Sequence, residues 1–204
     1  MHAEWEPAVE KFWDSLGASA VQVLRLVNVG AKFAPEGTLR SIYRDVDALK
    51  CSVDNLERFL PDVDVVSMLH KNPEMALLGL QPALLTRQVA AVSAAVPGAN
   101  VVCVVEKCPD IVLRTAAGWA NSDELVPLDT LQRAFTALCR HLPADCVCRI
   151  IENFPQVLLH SEEVIEAGMN TLRRMYPDES ERQFALSVEG DPERIVKPRR
   201  IGLH

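Results

Sequence analysis

The sequence predicts an all-α protein, a superhelical array of helix–short 3₁₀ turn–helix repeats (an α-solenoid). Three observations predict it. A pair of prolines recurs at one spacing: Pro61 and Pro73, Pro97 and Pro109, and Pro143 and Pro155 each stand 12 residues apart. The copies start 36 and then 46 residues after one another, a period that marks a helical repeat array. Within each copy, offsets 4, 5, 7 and 8 from the leading proline are apolar: Val65, Val66, Met68, Leu69; Val101, Val102, Val104, Val105; Val147, Cys148, Ile150, Ile151. Spacings of three and four put these on one helical face.

Each element follows from local chemistry. The leading proline suits a helix start, where its missing N–H costs nothing, and the second proline ends the helix. The apolar triplet after it (Met75-Ala76-Leu77, Ile111-Val112-Leu113, Val157-Leu158-Leu159) is too short for a full helix and reads as one buried 3₁₀ turn. Leu77, Leu113 and Leu159 share offset 16 and are expected to be buried between neighbouring copies. A second amphipathic helix then returns over 82–95, 127–141 and 161–175. No copy buries its apolar face alone, and stacking solves that.

Upstream, Glu6 to Leu16 reads as a short amphipathic helix with Val9, Phe12, Trp13 and Leu16 on one side. Leu16-Gly17 reads as the start of a worn copy, with Val21 and Leu24 at the apolar offsets and Val29 in place of the second proline. Pro35-Glu36-Gly37 is a break. Thr38 to Phe59 is a long helical stretch, split near Cys51-Ser52 with Ser52 as cap. Thr115 to Val126 is an inserted polar loop carrying Trp119, which serves a partner as an anchor or, the preferred reading, folds back onto the array. After Tyr176-Pro177 a fourth copy decays: Phe184, Ala185, Leu186 and Val188 remain apolar, and Gly190-Asp191-Pro192 replaces the break. The organisation expected is therefore 1–59, N-terminal helices with a degenerate repeat; 60–176, three clear repeats; 177–196, a degenerate capping repeat; and 197–204, a basic tail.

The motifs Asn72-Pro73-Glu74-Met75-Ala76-Leu77-Leu78, Cys108-Pro109-Asp110-Ile111-Val112-Leu113 and Phe154-Pro155-Gln156-Val157-Leu158-Leu159 resemble the repeat of the mitochondrial transcription termination factor (mTERF) family. That repeat is two helices and a short 3₁₀ turn, with a central proline followed by leucine-like residues. The resemblance covers about half the chain, Leu60 to Met175. It implies a helical-repeat protein of a mitochondrion or chloroplast, binding nucleic acid in transcription, RNA processing or ribosome assembly. The motif brings no catalytic residue.

Composition pulls towards another partner. The chain has 204 residues, a formal net charge of −7 and 49% hydrophobic content with only 5% aromatics, so its core is aliphatic. The last twelve residues sum to +3, which leaves −10 on the body; such a body does not gather on phosphates by bulk electrostatics. Lys197, Arg199 and Arg200 in the tail, with Arg87, Arg114, Arg133, Arg173 and Arg174 in the array, are the candidates to line a groove for RNA or double-stranded DNA. The acids Glu106, Asp110, Asp123, Glu124, Glu162, Glu163 and Glu166 are interspersed among them. The alternative is a non-catalytic scaffold docking a protein or a ribonucleoprotein, ribosome-associated assembly.

No membrane span, small-molecule substrate, cofactor or metal is expected. The start, Met1-His-Ala-Glu-Trp-Glu-Pro, has the character of neither a secretory signal nor an Arg/Ser-rich transit peptide, which keeps the cytoplasm open beside the organelles. Six cysteines suit a reducing compartment. The nearest metal constellation, Cys139, His141, Cys146 and Cys148, has the wrong spacing for zinc, and Cys148 fills an apolar slot. His70 sits near a helix end that favours a cation. No Ser/His/Asp or Cys/His arrangement and no glycine-rich phosphate loop is present, so an enzyme is not expected.

Overall fold

The structure is a computed structural model, and it describes residues 4–30, 37–114 and 127–197. It is all-α: among the described residues there is no strand. The inserted segment with Trp119, and Arg199 and Arg200 of the tail, lie outside the described residues. The chain divides into two compact units, residues 1–87 and 88–204.

The first unit contains α1 (Glu6–Ser15), α2 (Ala20–Asn28), α3 (Gly37–Ile42), α4 (Val46–Phe59), α5 (Val65–Lys71) and α6 (Met75–Gly79). The next helix, α7 (Pro82–Ala95), runs across the division. The long stretch after Thr38 is broken at Tyr43–Asp45 and not at Cys51-Ser52. Asp45 is extended and its carboxylate accepts from the N–H groups of Asp47 and Ala48, so it satisfies the donors that open α4. Ser52 is instead buried inside α4 and its Oγ donates to the Ala76 carbonyl at 2.8 Å. The two helices meet closely: a Cβ added at Gly79 would lie 2.3 Å from Ser52 Oγ. Trp13 stacks on Tyr43, both fully buried. The Tyr43 hydroxyl donates to the Pro73 carbonyl at 3.1 Å, and burial pushes its phenol pKa upward.

The second unit contains α8 (Val101–Lys107), α9 (Asp110–Arg114), α10 (Leu128–His141), α11 (Ala144–Asn153), a 3₁₀ helix (Pro155–Leu159), α12 (Glu162–Met175), α13 (Glu181–Gly190) and α14 (Glu193–Val196). The returning helices α7, α10 and α12 begin within a residue of the expected positions. In this unit α8 packs on α11 and α11 on α13, while α10 packs on α12. In the first unit α2 packs on α5. Three of the short elements fold back on the long helix before them: α6 on α4, the 3₁₀ helix on α10, α14 on α12.

Pro73, Pro109 and Pro155 occupy equivalent positions. The residue before each is extended by the proline ring's clash with helical backbone: Asn72 at φ −138, ψ 88, Cys108 at −139, 75 and Phe154 at −137, 67. Its carbonyl then accepts from the N–H three residues on, in Met75, Ile111 and Val157, at 3.1–3.2 Å. The fourth copy keeps this joint where the sequence reads as decayed. Asp191 before Pro192 has φ −146, ψ 71 and its carbonyl accepts from Arg194 N–H at 3.2 Å. Three residues after each proline stand Ala76, Val112, Leu158 and Ile195, all fully buried.

Several expectations are corrected. Only the third short element is 3₁₀; α6 and α9 are single turns of α-helix. The leading proline opens a helix only at Pro143, the N-cap of α11. Pro61 and Pro97 lead turns whose next residues, Asp62 (φ 69) and Gly98 (φ 90), are left-handed, and the helix begins after caps Asp64 and Asn100. A proline followed by a left-handed corner is a turn preference that competes with helix initiation. Of the leucines at offset 16, Leu113 is buried, but Leu77 and Leu159 are half-buried; the short element turns offsets 14 and 15 fully inward. Val21 and Leu24 are exposed, and α2 buries Val23, Leu26 and Val27 instead. Cys148 is half-buried, whereas Cys146 is buried.

Leu113→Ala should destabilise the protein by roughly 2–5 kcal/mol, the cost of truncating a buried leucine, read from the urea midpoint. Gly168 gives a sharper test. A Cβ there would stand 1.7 Å from the Ile195 carbonyl oxygen, while at Gly190 it meets nothing. Gly168→Ala should therefore cost more than about 2 kcal/mol by forcing α14 off α12, and Gly190→Ala less than about 0.5 kcal/mol.

Candidate nucleic-acid interface

A phosphate-binding face needs cations that are exposed, close together and not already neutralised. Arg87 is exposed on α7 at the edge of the first unit. The remaining described candidates are in the second unit. Arg114 is half-buried at the end of α9, beside the Cys108 thiol. Arg133 on α10 pairs with Asp129 one turn earlier, and its charge also reaches Glu163. Arg173 is half-buried, with its guanidinium 3.9 Å from the centre of the Phe184 ring. Arg174, next along α12, is exposed, and among the described residues it has no ion pair. Adjacent helical residues point about 100° apart, so one arginine serves the packing and the other faces solvent. Lys197 is exposed at the end of α14, where its charge reaches His160.

The structure adds cations that the sequence reading passed over, and pairs them with acids from another helix. Arg140 Nη1 on α10 donates to Glu162 Oε1 (2.6 Å) and Glu166 Oε1 (3.0 Å) on α12. The adjacent His141 Nε2 donates to Glu166 Oε2 at 2.6 Å. Arg149 on α11 reaches Asp145 Oδ2 (3.0 Å) on its own helix and Glu189 Oε1 (2.8 Å) on α13. Lys107 Nζ on α8 donates to the Glu152 carbonyl at 2.6 Å. Glu152 Oε1 in turn accepts from the Asn100 N–H at 2.7 Å. Of these the Asp145–Arg149 pair, like Asp129–Arg133, is four apart on one helix and carries a sequence signal; the others depend on which helices meet.

These contacts set the local charge states. Hydrogen bonds from His141 and then Arg140 hold the Glu166 carboxyl below its usual range. Arg149 does the same for Asp145. Burial, then the Glu189 charge, pushes the Cys146 thiol up to about 11, and burial pushes Cys108 to about 11. Both are neutral thiols at physiological pH, poor as nucleophiles or metal ligands. Burial, then Arg25 and Lys71, lowers the His70 pKa, against the cation expected at that helix end. Among the described residues no three His, Cys, Asp or Glu side chains converge as a metal would require, and no helix is long and apolar enough to cross a membrane.

No protein-family model matches the chain, and no curated protein sequence matches it.

The Glu166 cluster has a pH signature. The folded carboxyl titrates below its ordinary value of 4.5, so its stabilisation is complete above that value. It is lost as pH falls through the lower folded pKa. Wild-type urea midpoints should drop as pH falls below 4.5, and Glu166→Gln should flatten that drop while starting from a lower plateau.

Proposed function

We propose that this chain is a non-catalytic helical-repeat protein of organelle gene expression, mTERF-like, which docks within a ribonucleoprotein or ribosome-associated assembly. Its helices would form an α-solenoid in which like helices of successive copies stack. The packing of α8, α11 and α13 in series, beside α10 on α12, supports that arrangement. A mitochondrion or chloroplast is the setting that the resemblance suggests.

The observation that carries the docking reading is the neutralisation of basic side chains between copies. Arg140 and Arg149 each hold a carboxylate of the following copy, so they are committed to the stack. A phosphate competing for them would have to break these contacts and repel the acids left behind. Arg174 and Lys197 in the second unit and Arg87 in the first favour the second reading, direct binding of RNA or double-stranded DNA, because each is exposed.

Filter binding at low salt separates the two. The docking reading expects no submicromolar affinity for RNA or duplex DNA, with wild type and an Arg173→Glu/Arg174→Glu variant alike. Submicromolar binding near physiological salt that collapses in the variant would establish direct binding instead. Each phosphate contact then steepens the log–log salt dependence on duplex by about 0.9.

A further inference from the structure

The left-handed corners at Gly17, Asp62 and Gly98 set a common register, because each is followed two residues later by the helix cap: Ser19, Asp64, Asn100. In that register Val21 and Leu24 of α2 correspond to Val66 and Leu69 of α5, and to Val102 and Val105 of α8. The proline spacing extends the correspondence to Cys148 and Ile151 of α11. In α11 the first of these positions faces the preceding copy. Cys148 Sγ donates to the Pro97 carbonyl at 3.8 Å and would lie 3.3 Å from a Cβ at Gly98. Val66 and Leu69 are buried, on a helix that packs against α2. On α2 the same pair is 73% and 66% exposed. Arg25 and Asn28 continue the stripe at helical spacing, with Arg25 exposed.

The last copy has the reverse vacancy. Aligning Asp191-Pro192 with Phe154-Pro155 places Leu186 of α13 where Arg149 of α11 reaches forward to the next copy. Leu186 is 58% exposed. Beside it is an open hollow of about 530 Å³ whose lining includes Tyr176, Asp178, Glu179, Gln183 and Leu186. One end therefore offers two aliphatic side chains and an arginine, and the other offers an aliphatic side chain and two carboxylates.

We propose that the chain stacks head-to-tail on a second copy of itself, with the Val21–Leu24–Arg25 face of one chain against the Leu186 face and acidic hollow of another. The helix pairings α2 on α5 and α11 on α13 are the template for this joint. The two faces are different, so the contact is heterologous, and two chains joined by a single such contact still carry one face of each kind. One helix pair is a small interface, the class that makes weak, transient contacts.

Sedimentation of the full chain tests this. The weight-average mass of wild type should rise steadily above the 22.6 kDa of one chain as concentration increases towards millimolar. Leu24→Asp and Leu186→Asp each remove one end, and both should stay at one chain mass. Both positions are exposed, and circular dichroism confirms that each variant is folded. An equimolar mixture retains one working end on each variant and should recover a complex of two chains and no larger. Wild type that stays monomeric, single variants that still associate, or a mixture that stays monomeric would each overturn the proposal.

Discussion

The packing depends on the extended residue in front of each internal proline. Asn72, Cys108, Phe154 and Asp191 share nearly one backbone conformation, and the proline ring enforces it by excluding the helical alternative. The carbonyl left free at that point is satisfied by the N–H three residues on, so the chain turns sharply without an orphaned buried group. At Pro73, Pro155 and Pro192 the turn aims the following short element back at the preceding long helix. It also carries Ala76, Val112, Leu158 and Ile195 into full burial.

Once that joint is set, close approach does the rest. The short elements come so near the long helices that two positions on the contacts tolerate only glycine: Gly79 against Ser52, and Gly168 against the Ile195 carbonyl. The buried surface is almost wholly aliphatic, and each fully buried leucine or valine contributes about 1.5–3 kcal/mol relative to exposure. The aromatic exceptions are the Trp13–Tyr43 stack in the first unit and Phe184 in the second. The Tyr43 hydroxyl also ties α3 to the first proline joint through the Pro73 carbonyl.

Charge is then distributed by the stacking. Helices of successive copies bring Arg140 against Glu162 and Glu166, and Arg149 against Glu189. These pairs are partly solvated, so they fix orientation and specificity more than they add stability. They leave Arg140 and Arg149 paired with carboxylates although each side chain is about half exposed. Val21 and Leu24 of the first copy and Leu186 of the last are the most exposed of the large apolar side chains among the described residues.

The sequence by itself determined the all-α class, the equivalence of Pro73, Pro109 and Pro155, and the extents of the returning helices, because proline geometry and three-four apolar spacing act locally. It missed what rests on the balance of local signals: the Asp45 cap, the left-handed corner at Asp62, the α-helical form of the first two short turns and the preserved joint at Asp191. Tertiary structure alone decided which offset is buried, since Leu77, Leu113 and Leu159 are alike in sequence and only Leu113 is buried. It also decided which cations are committed. Arg173 and Arg174 are chemically identical neighbours, yet α12 turns one onto the Phe184 ring and the other to solvent. The ion partners of Arg140 lie 22 and 26 residues away, a separation that no periodicity encodes and that only the packing of one helix on the next brings within bonding distance.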